Sequence, residues 1–133
     1  KIYKPAIAVY IDESGSVSNK ELELFYSELD NLSNSTDFHV FKFDHGVDEE
    51  SSFLWKKRSR PSIGRTLTGG TCFEKVTKHA MKNKKRFDAY MILTDGGAPK
   101  PSSSRGLKRC WILAKNCKLA FKADSSDIQI HIK

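Results

Sequence analysis

Ala6-Ile7-Ala8-Val9-Tyr10-Ile11-Asp12-Glu13-Ser14-Gly15-Ser16 decides the reading of this chain: an apolar run stops at a carboxylate, and two hydroxyls follow at two-residue spacing. Six mostly apolar residues without a helical period predict a strand buried on both faces, the kind found at the centre of a parallel sheet. Such a strand delivers the residues after it to the carboxyl edge of the sheet, where open α/β folds bind ligands. There Asp12, Ser14 and Ser16 are expected to point to one side of a turn that Gly15 lets bend tightly. Three converging oxygens suit a hard divalent cation. Mg²⁺ takes about six oxygens in near-octahedral array, so the remaining ligands must come from elsewhere.

Two later segments can supply them. Leu67-Thr68-Gly69-Gly70-Thr71-Cys72-Phe73 is a glycine loop leading into a helical pattern, and Tyr90-Met91-Ile92-Leu93-Thr94-Asp95-Gly96-Gly97 is a second buried strand ending in a carboxylate. The ordered trio resembles the metal-ion-dependent adhesion site (MIDAS) of von Willebrand factor A-like (VWA-like) domains, over roughly residues 6–113. Asp-x-Ser-Gly-Ser alone has a chance frequency on the order of 10⁻⁵ per window at average composition. The resemblance implies a metal set of Asp12, Ser14, Ser16, Thr71 and Asp95, with the hydroxyls binding directly and the carboxylates partly through water. It implies Mg²⁺, with Mn²⁺ or Ca²⁺ as alternatives, and a protein partner whose Asp or Glu completes the coordination. Among intracellular members it points to partners such as an AAA+ ATPase. Gly-Gly-Thr before a helix and Leu-Thr-Asp-Gly-Gly look most like the carboxyl-terminal VWA-like domain of bacterial and phage metallopeptidase-like proteins. Cys72 departs from that pattern, standing where those relatives tend to carry a carboxylate.

Several of these residues have a plainer reading. Ser18 and Glu21, and likewise Thr71 and Glu74, have the spacing of a capping box, which satisfies orphan amides at a helix start. For Thr71 capping and metal binding are compatible, and Thr68 is the alternative hydroxyl. Asp95 before two glycines, and Asp44 in Asp44-His45-Gly46, both suit turns; Asp44 also reaches the carboxyl edge of its strand, behind the metal set.

The rest of the chain reads as β/α alternation. Residues 18–33 place Leu22, Phe25, Leu29 and Leu32 on one helical face. A strand over 36–43 follows, and 51–57 is expected to pair with it as an antiparallel edge hairpin. Loop 58–70 leads to a helix over 72–85 with Phe73, Val76 and Ala80 inward, then a strand over 87–94. A Pro- and Ser-rich loop spans 96–106, and strands are expected over 108–114 and 127–133, the last a half-exposed strand alternating Ile128, Ile130 and Ile132 with Gln129, His131 and Lys133. The expected fold is α/β: a doubly wound, mostly parallel central sheet with helices on its faces, Rossmann-like, with an antiparallel edge strand. With only two strong helices, one sheet face is expected to be thinly covered.

At 133 residues the chain is expected to form one domain (1–133) of a longer protein. Its three cysteines form no paired framework, which suggests free thiols and, with no signal peptide or membrane span, a cytoplasmic setting. Cys110 reads as packing. The net charge of +7, from 23 Lys and Arg against 16 Asp and Glu, is concentrated in Lys56-Lys57-Arg58-Ser59-Arg60 and Lys82-Asn83-Lys84-Lys85-Arg86. Those runs suit nucleic acid, an acidic protein or simply a solvated face, the second also complementing a helix dipole. No aromatic residues interleave with them, which weighs against base stacking.

Three functions are therefore in view. The leading one is a non-catalytic, metal-dependent protein-interaction module acting as adaptor or scaffold. The second is a Mg²⁺-dependent phosphohydrolase with Asp12 as nucleophile; it lacks the second Asp of the Asp-x-Asp pattern, where Ser14 cannot act as general acid. The third is a basic nucleic-acid-binding domain. A peptidase is disfavoured, because His39, His45, His79 and His131 are scattered without His-Glu-x-x-His.

Overall fold

The computed structural model describes residues 5–133. Eight elements follow in order: β1 (Ile7–Asp12), α1 (Asn19–Ser33), β2 (Phe38–Phe43), β3 (Val47–Trp55), α2 (Phe73–Lys82), β4 (Ala89–Thr94), β5 (Lys108–Leu113) and β6 (Ile128–His131). The strands form one sheet ordered β3-β2-β1-β4-β5-β6. All neighbours run parallel except β2 and β3, so the expected parallel sheet with one antiparallel edge strand is what forms.

Strand alternation divides the core in two. Val9 and Ile11 of β1 pack with Phe38, Val40 and Leu93 against Leu22, Phe25 and Leu29 of α1. Ala8 and Tyr10 face the other way, with Phe41, Tyr90, Ile92 and Trp111, against Phe73, Val76 and Ala80 of α2. One helix on each face makes the fold doubly wound. Each fully buried side chain of this size contributes about 1.5–3 kcal/mol. α1 starts at the expected capping box: the Glu21 amide donates to Ser18 Oγ at 3.1 Å, and the Ser18 amide donates to Glu21 Oε1 at 2.9 Å.

Four expectations need correction. β3 begins at Val47 rather than at residue 51, because its first residues pair with Phe43 and Lys42 just after a tight turn at Asp44–Gly46. α2 begins after Cys72, which is the N-cap, and no side chain caps it, so Thr71 and Glu74 form no capping box. Glu74 instead accepts bonds from the amide and hydroxyl of Ser102, at 2.7 and 2.9 Å. The helix also ends at Lys82, so only that lysine of the second basic run lies in its last turn, and the dipole does not explain Lys84, Lys85 or Arg86. Finally, the half-exposed strand expected over 127–133 does not bury its isoleucine face: Ile128 and Ile130 of β6 are 43% and 48% exposed, and only Ile132, just past its end, is buried. They sit beside Cys110 and Ile112 on the α1 face, beyond the reach of α1. The thinly covered face thus has a place, where an open groove of about 560 Å³ lies between Leu29, Leu32, Met91, Ile112 and Ile132.

The cysteines are free, and burial pushes the Cys110 thiol up, as inert packing requires. Among the described residues no helix is long and apolar enough to cross a membrane.

Candidate metal centre

Register fixes where the motif residues emerge. β1, β2, β4 and β5 run parallel and in step, so Asp12, Phe43, Thr94 and Leu113 end the strands along one carboxyl edge. Asp12 is fully buried there. Its Oδ1 accepts the Ser14 amide at 2.9 Å, and its Oδ2 accepts the Thr94 hydroxyl at 2.5 Å. Ser14 is buried and its hydroxyl lies 3.2 Å from that of the exposed Ser16. Asp95, half-buried, follows Thr94 and turns back to accept the Gly97 amide at 3.0 Å. Burial holds the Asp12 carboxyl above the ordinary carboxylate range; hydrogen bonds from Ser14 and Thr94 pull it down, and the negative charge of Asp95 pushes it up. Two acidic side chains close enough to repel, beside two hydroxyls, form an oxygen-rich, charge-deficient set that suits a hard cation.

Thr71 is brought to the same edge by backbone rather than by its side chain. The Gly69 amide donates to Asp44 Oδ2 at 3.1 Å, the Cys72 amide to the Asp44 carbonyl at 2.9 Å, and the Gly15 amide to the Gly69 carbonyl at 2.8 Å. Thr71 lies inside this clamped segment, half-buried, and its hydroxyl makes no hydrogen bond to the other four residues. Thr68 is exposed, and its carbonyl lies against Gly15. That contact explains the glycine. A Cβ at Gly15 would sit 2.9 Å from the Thr68 oxygen, so close approach of two loops, not a left-handed backbone, excludes a side chain. Asp44 makes the expected turn, its Oδ1 accepting the Gly46 amide, and its other oxygen anchors the glycine loop through the Gly69 amide.

Three side chains that complete this edge were not foreseen. Glu13, the unspecified position of Asp-x-Ser, is fully buried. Its Oε1 accepts the amides of Thr66 and Leu67 at 2.9 and 3.2 Å, and its Oε2 accepts the Tyr26 hydroxyl at 2.9 Å and pairs with Lys42 at 3.4 Å. Arg65 points the other way along the same loop, donating to the carbonyls of Glu13, Ser14 and Val17 and to Asn19 Oδ1. Thr94 links Asp12 to Gly96, whose amide its hydroxyl accepts at 3.1 Å. A hydroxyl ending a fully apolar strand, and a lysine at the inward position after Phe38 and Val40, were available signals, since each must find a partner when buried. The amides that fix Glu13 lie more than fifty residues away and leave no trace in side-chain pattern.

Among the described residues no three His, Cys, Asp or Glu side chains are grouped as a metal site. The candidate set relies on hydroxyls beside two carboxylates.

A family model described as a VWA-like domain (DUF2201) matches residues 7–122. The chain belongs to this family. No curated protein sequence matches this VWA-like domain. Its fold is shared by solved structures of low identity. The ArnB paralog VWA2 from Sulfolobus acidocaldarius is 16% identical, with a TM-score of 0.63 over 87% of this chain and 36% of that one, so the domain spans about a third of that protein. An aerotolerance-related membrane protein from Bacteroides fragilis is 14% identical, with a TM-score of 0.66 over 97% and 92% of the two chains. BatB from Bacteroides thetaiotaomicron is 11% identical, with a TM-score of 0.63 over 96% and 90%. At these identities the likeness is one of fold.

Proposed function

We propose that this VWA-like domain is a non-catalytic interaction module that captures a protein partner's Asp or Glu through a divalent cation. The observation that carries the reading is the buried Asp12 beside the paired hydroxyls of Ser14 and Ser16, with Asp95 near enough to strain its charge. The residues to hold the ion are Asp12, Ser14, Ser16, Thr71 and Asp95. When bound, the cation supplies positive charge and an open coordination position for an incoming carboxylate. This chain's part is to hold the oxygens still: Thr94 orients Asp12, Asp44 holds the segment bearing Thr71, and Glu13 with Arg65 locks the neighbouring loop.

Mg²⁺ is the proposed ion, with Mn²⁺ and Ca²⁺ as competitors, and an AAA+ ATPase in the cytoplasm is the first partner class to test. Phosphohydrolysis is the weaker reading. Both Asp12 oxygens already accept hydrogen bonds, the residue has no exposure from which to attack phosphorus, and Ser14 stands where a general acid is needed.

Calorimetric titration of Mg²⁺ and Mn²⁺ into wild type, Asp12→Ala and Thr71→Ala is the test, with a generic phosphatase assay on the same samples. Binding by wild type, lost in both variants, without turnover, is the expected result. Absence of binding in wild type, or turnover that depends on Asp12, overturns the reading.

A further inference from the structure

The two basic runs lie apart in sequence, yet the sheet brings them to one edge. β3 runs antiparallel to β2 with Trp55 opposite Phe38, so Lys56, Lys57 and Arg58 leave at the amino ends of the parallel strands. The Arg58 amide donates to the Ser33 carbonyl at the last turn of α1, which fixes the run there. Lys84, Lys85 and Arg86 follow α2 and lead into β4, whose first residue pairs with Ile7; the Asp88 amide donates to the Ala6 carbonyl. Lys108 opens β5 opposite Ala89. All seven cations are exposed. Arg60, by contrast, is paired with Asp30 at 3.0 Å.

Among the described residues Asp37 and Asp88 lie at this edge, and their carboxylates accept the backbone amides of Lys57 and Ala6. From β3 to β5 the row crosses four strand spacings, about 19 Å at ~4.8 Å each. That length matches roughly five to six base pairs of duplex, whose phosphates recur every ~3.4 Å along each strand. Among the described residues no aromatic side chain at this edge is exposed: Phe87, over which Arg86 stacks at 4.9 Å, is itself buried. The described residues of this edge therefore offer no platform for the base stacking that single-strand binding uses.

We propose that the amino edge of the sheet is a second binding surface, for the phosphate backbone of double-stranded nucleic acid, independent of base sequence and of the metal centre. An extended row of exposed Lys and Arg contributes through counterion release, so its affinity falls steeply with salt.

The test is fluorescence anisotropy with a labelled 20-base-pair duplex in excess chelator, comparing wild type with Lys56→Glu/Lys57→Glu and with Lys84→Glu/Lys85→Glu. All four side chains are exposed, and circular dichroism checks the fold. With about five phosphates neutralised, affinity is expected to fall on the order of 10²- to 10³-fold between 50 and 200 mM salt. Each double variant should weaken binding at least tenfold and flatten the salt slope. Ser16→Ala, at the exposed member of the candidate metal set, should bind duplex as wild type does, which separates this surface from the metal centre. No duplex binding at low salt, binding unchanged in both double variants, or better competition by polyglutamate than by duplex overturns the proposal, the last assigning the edge to an acidic protein.

Discussion

At the carboxyl edge of the sheet the charged side chains are buried or half-buried and bonded: Glu13 is held by Tyr26, Lys42 and two loop amides, Arg65 donates to five residues, and Asp12 is held at both oxygens. At the amino edge the lysines and arginines stand in solvent, with few partners. A cation demands donors at fixed distances, which only a constrained shell can hold. A polyanion presents repeating charge, and mobile side chains follow it without being placed. The same sheet therefore carries a rigid pole and an adaptable one, and the two differ in what a substitution does.

Removing a bonded charge from the rigid pole should cost the fold itself. Glu13→Ala leaves Lys42 buried without its carboxylate and orphans two loop amides, so it is expected to destabilise by about 3–5 kcal/mol. Urea unfolding read by circular dichroism measures this; a midpoint equal to wild type would mean the network is only ornament. Exposed lysines of the amino edge, replaced by glutamate, should leave that midpoint where it is.

Thr94→Val sharpens the contrast within the rigid pole, because it keeps the shape and removes a hydroxyl that donates to Asp12 and accepts the Gly96 amide. Stability should fall by about 1–3 kcal/mol. Mg²⁺ affinity should drop about 10- to 100-fold, as when a residue orienting a ligand is lost. Unchanged calorimetric affinity in this variant would show that Asp12 needs no such support.

The smallest effect is expected where a charge is half-exposed. Burial alone would raise the Glu74 carboxyl, but bonds from the Ser102 amide and hydroxyl outweigh it and hold it below its ordinary 4.5. A carboxyl depressed in the folded state stabilises fully above the unfolded value, and that contribution is lost as pH falls through the folded one. Wild type should therefore lose slightly more stability than Glu74→Gln between neutral pH and about pH 3, a difference that paired urea titrations resolve.

Much of this was readable in order. The apolar runs ending at Asp12 and Thr94, the capping box at Ser18 and the 3.6-residue spacing of Leu22, Phe25 and Leu29 are local signals, and each element formed where they placed it. The failures came where a local pattern had a distant competitor. Glu74 matched a capping box but found Ser102, 28 residues on, and the last turn expected for α2 unwound at Asn83. Ile128 and Ile130 alternate like the inner face of a half-exposed strand, yet whether a face is buried depends on what covers it.

The amino-acid sequence by itself determined the strand and helix order and the doubly wound sheet, because hydrophobic periodicity and short motifs act over a few residues; the candidate set of Asp12, Ser14, Ser16, Thr71 and Asp95 followed from the resemblance those motifs carry. Only the tertiary structure decided that Glu13 and Arg65 clamp loop 58–70 onto the motif, that Thr94 holds Asp12, and that two distant basic runs share one edge. Those are contacts of backbone amides and strand ends brought together by pairing, and pairing partners are chosen by the whole sheet.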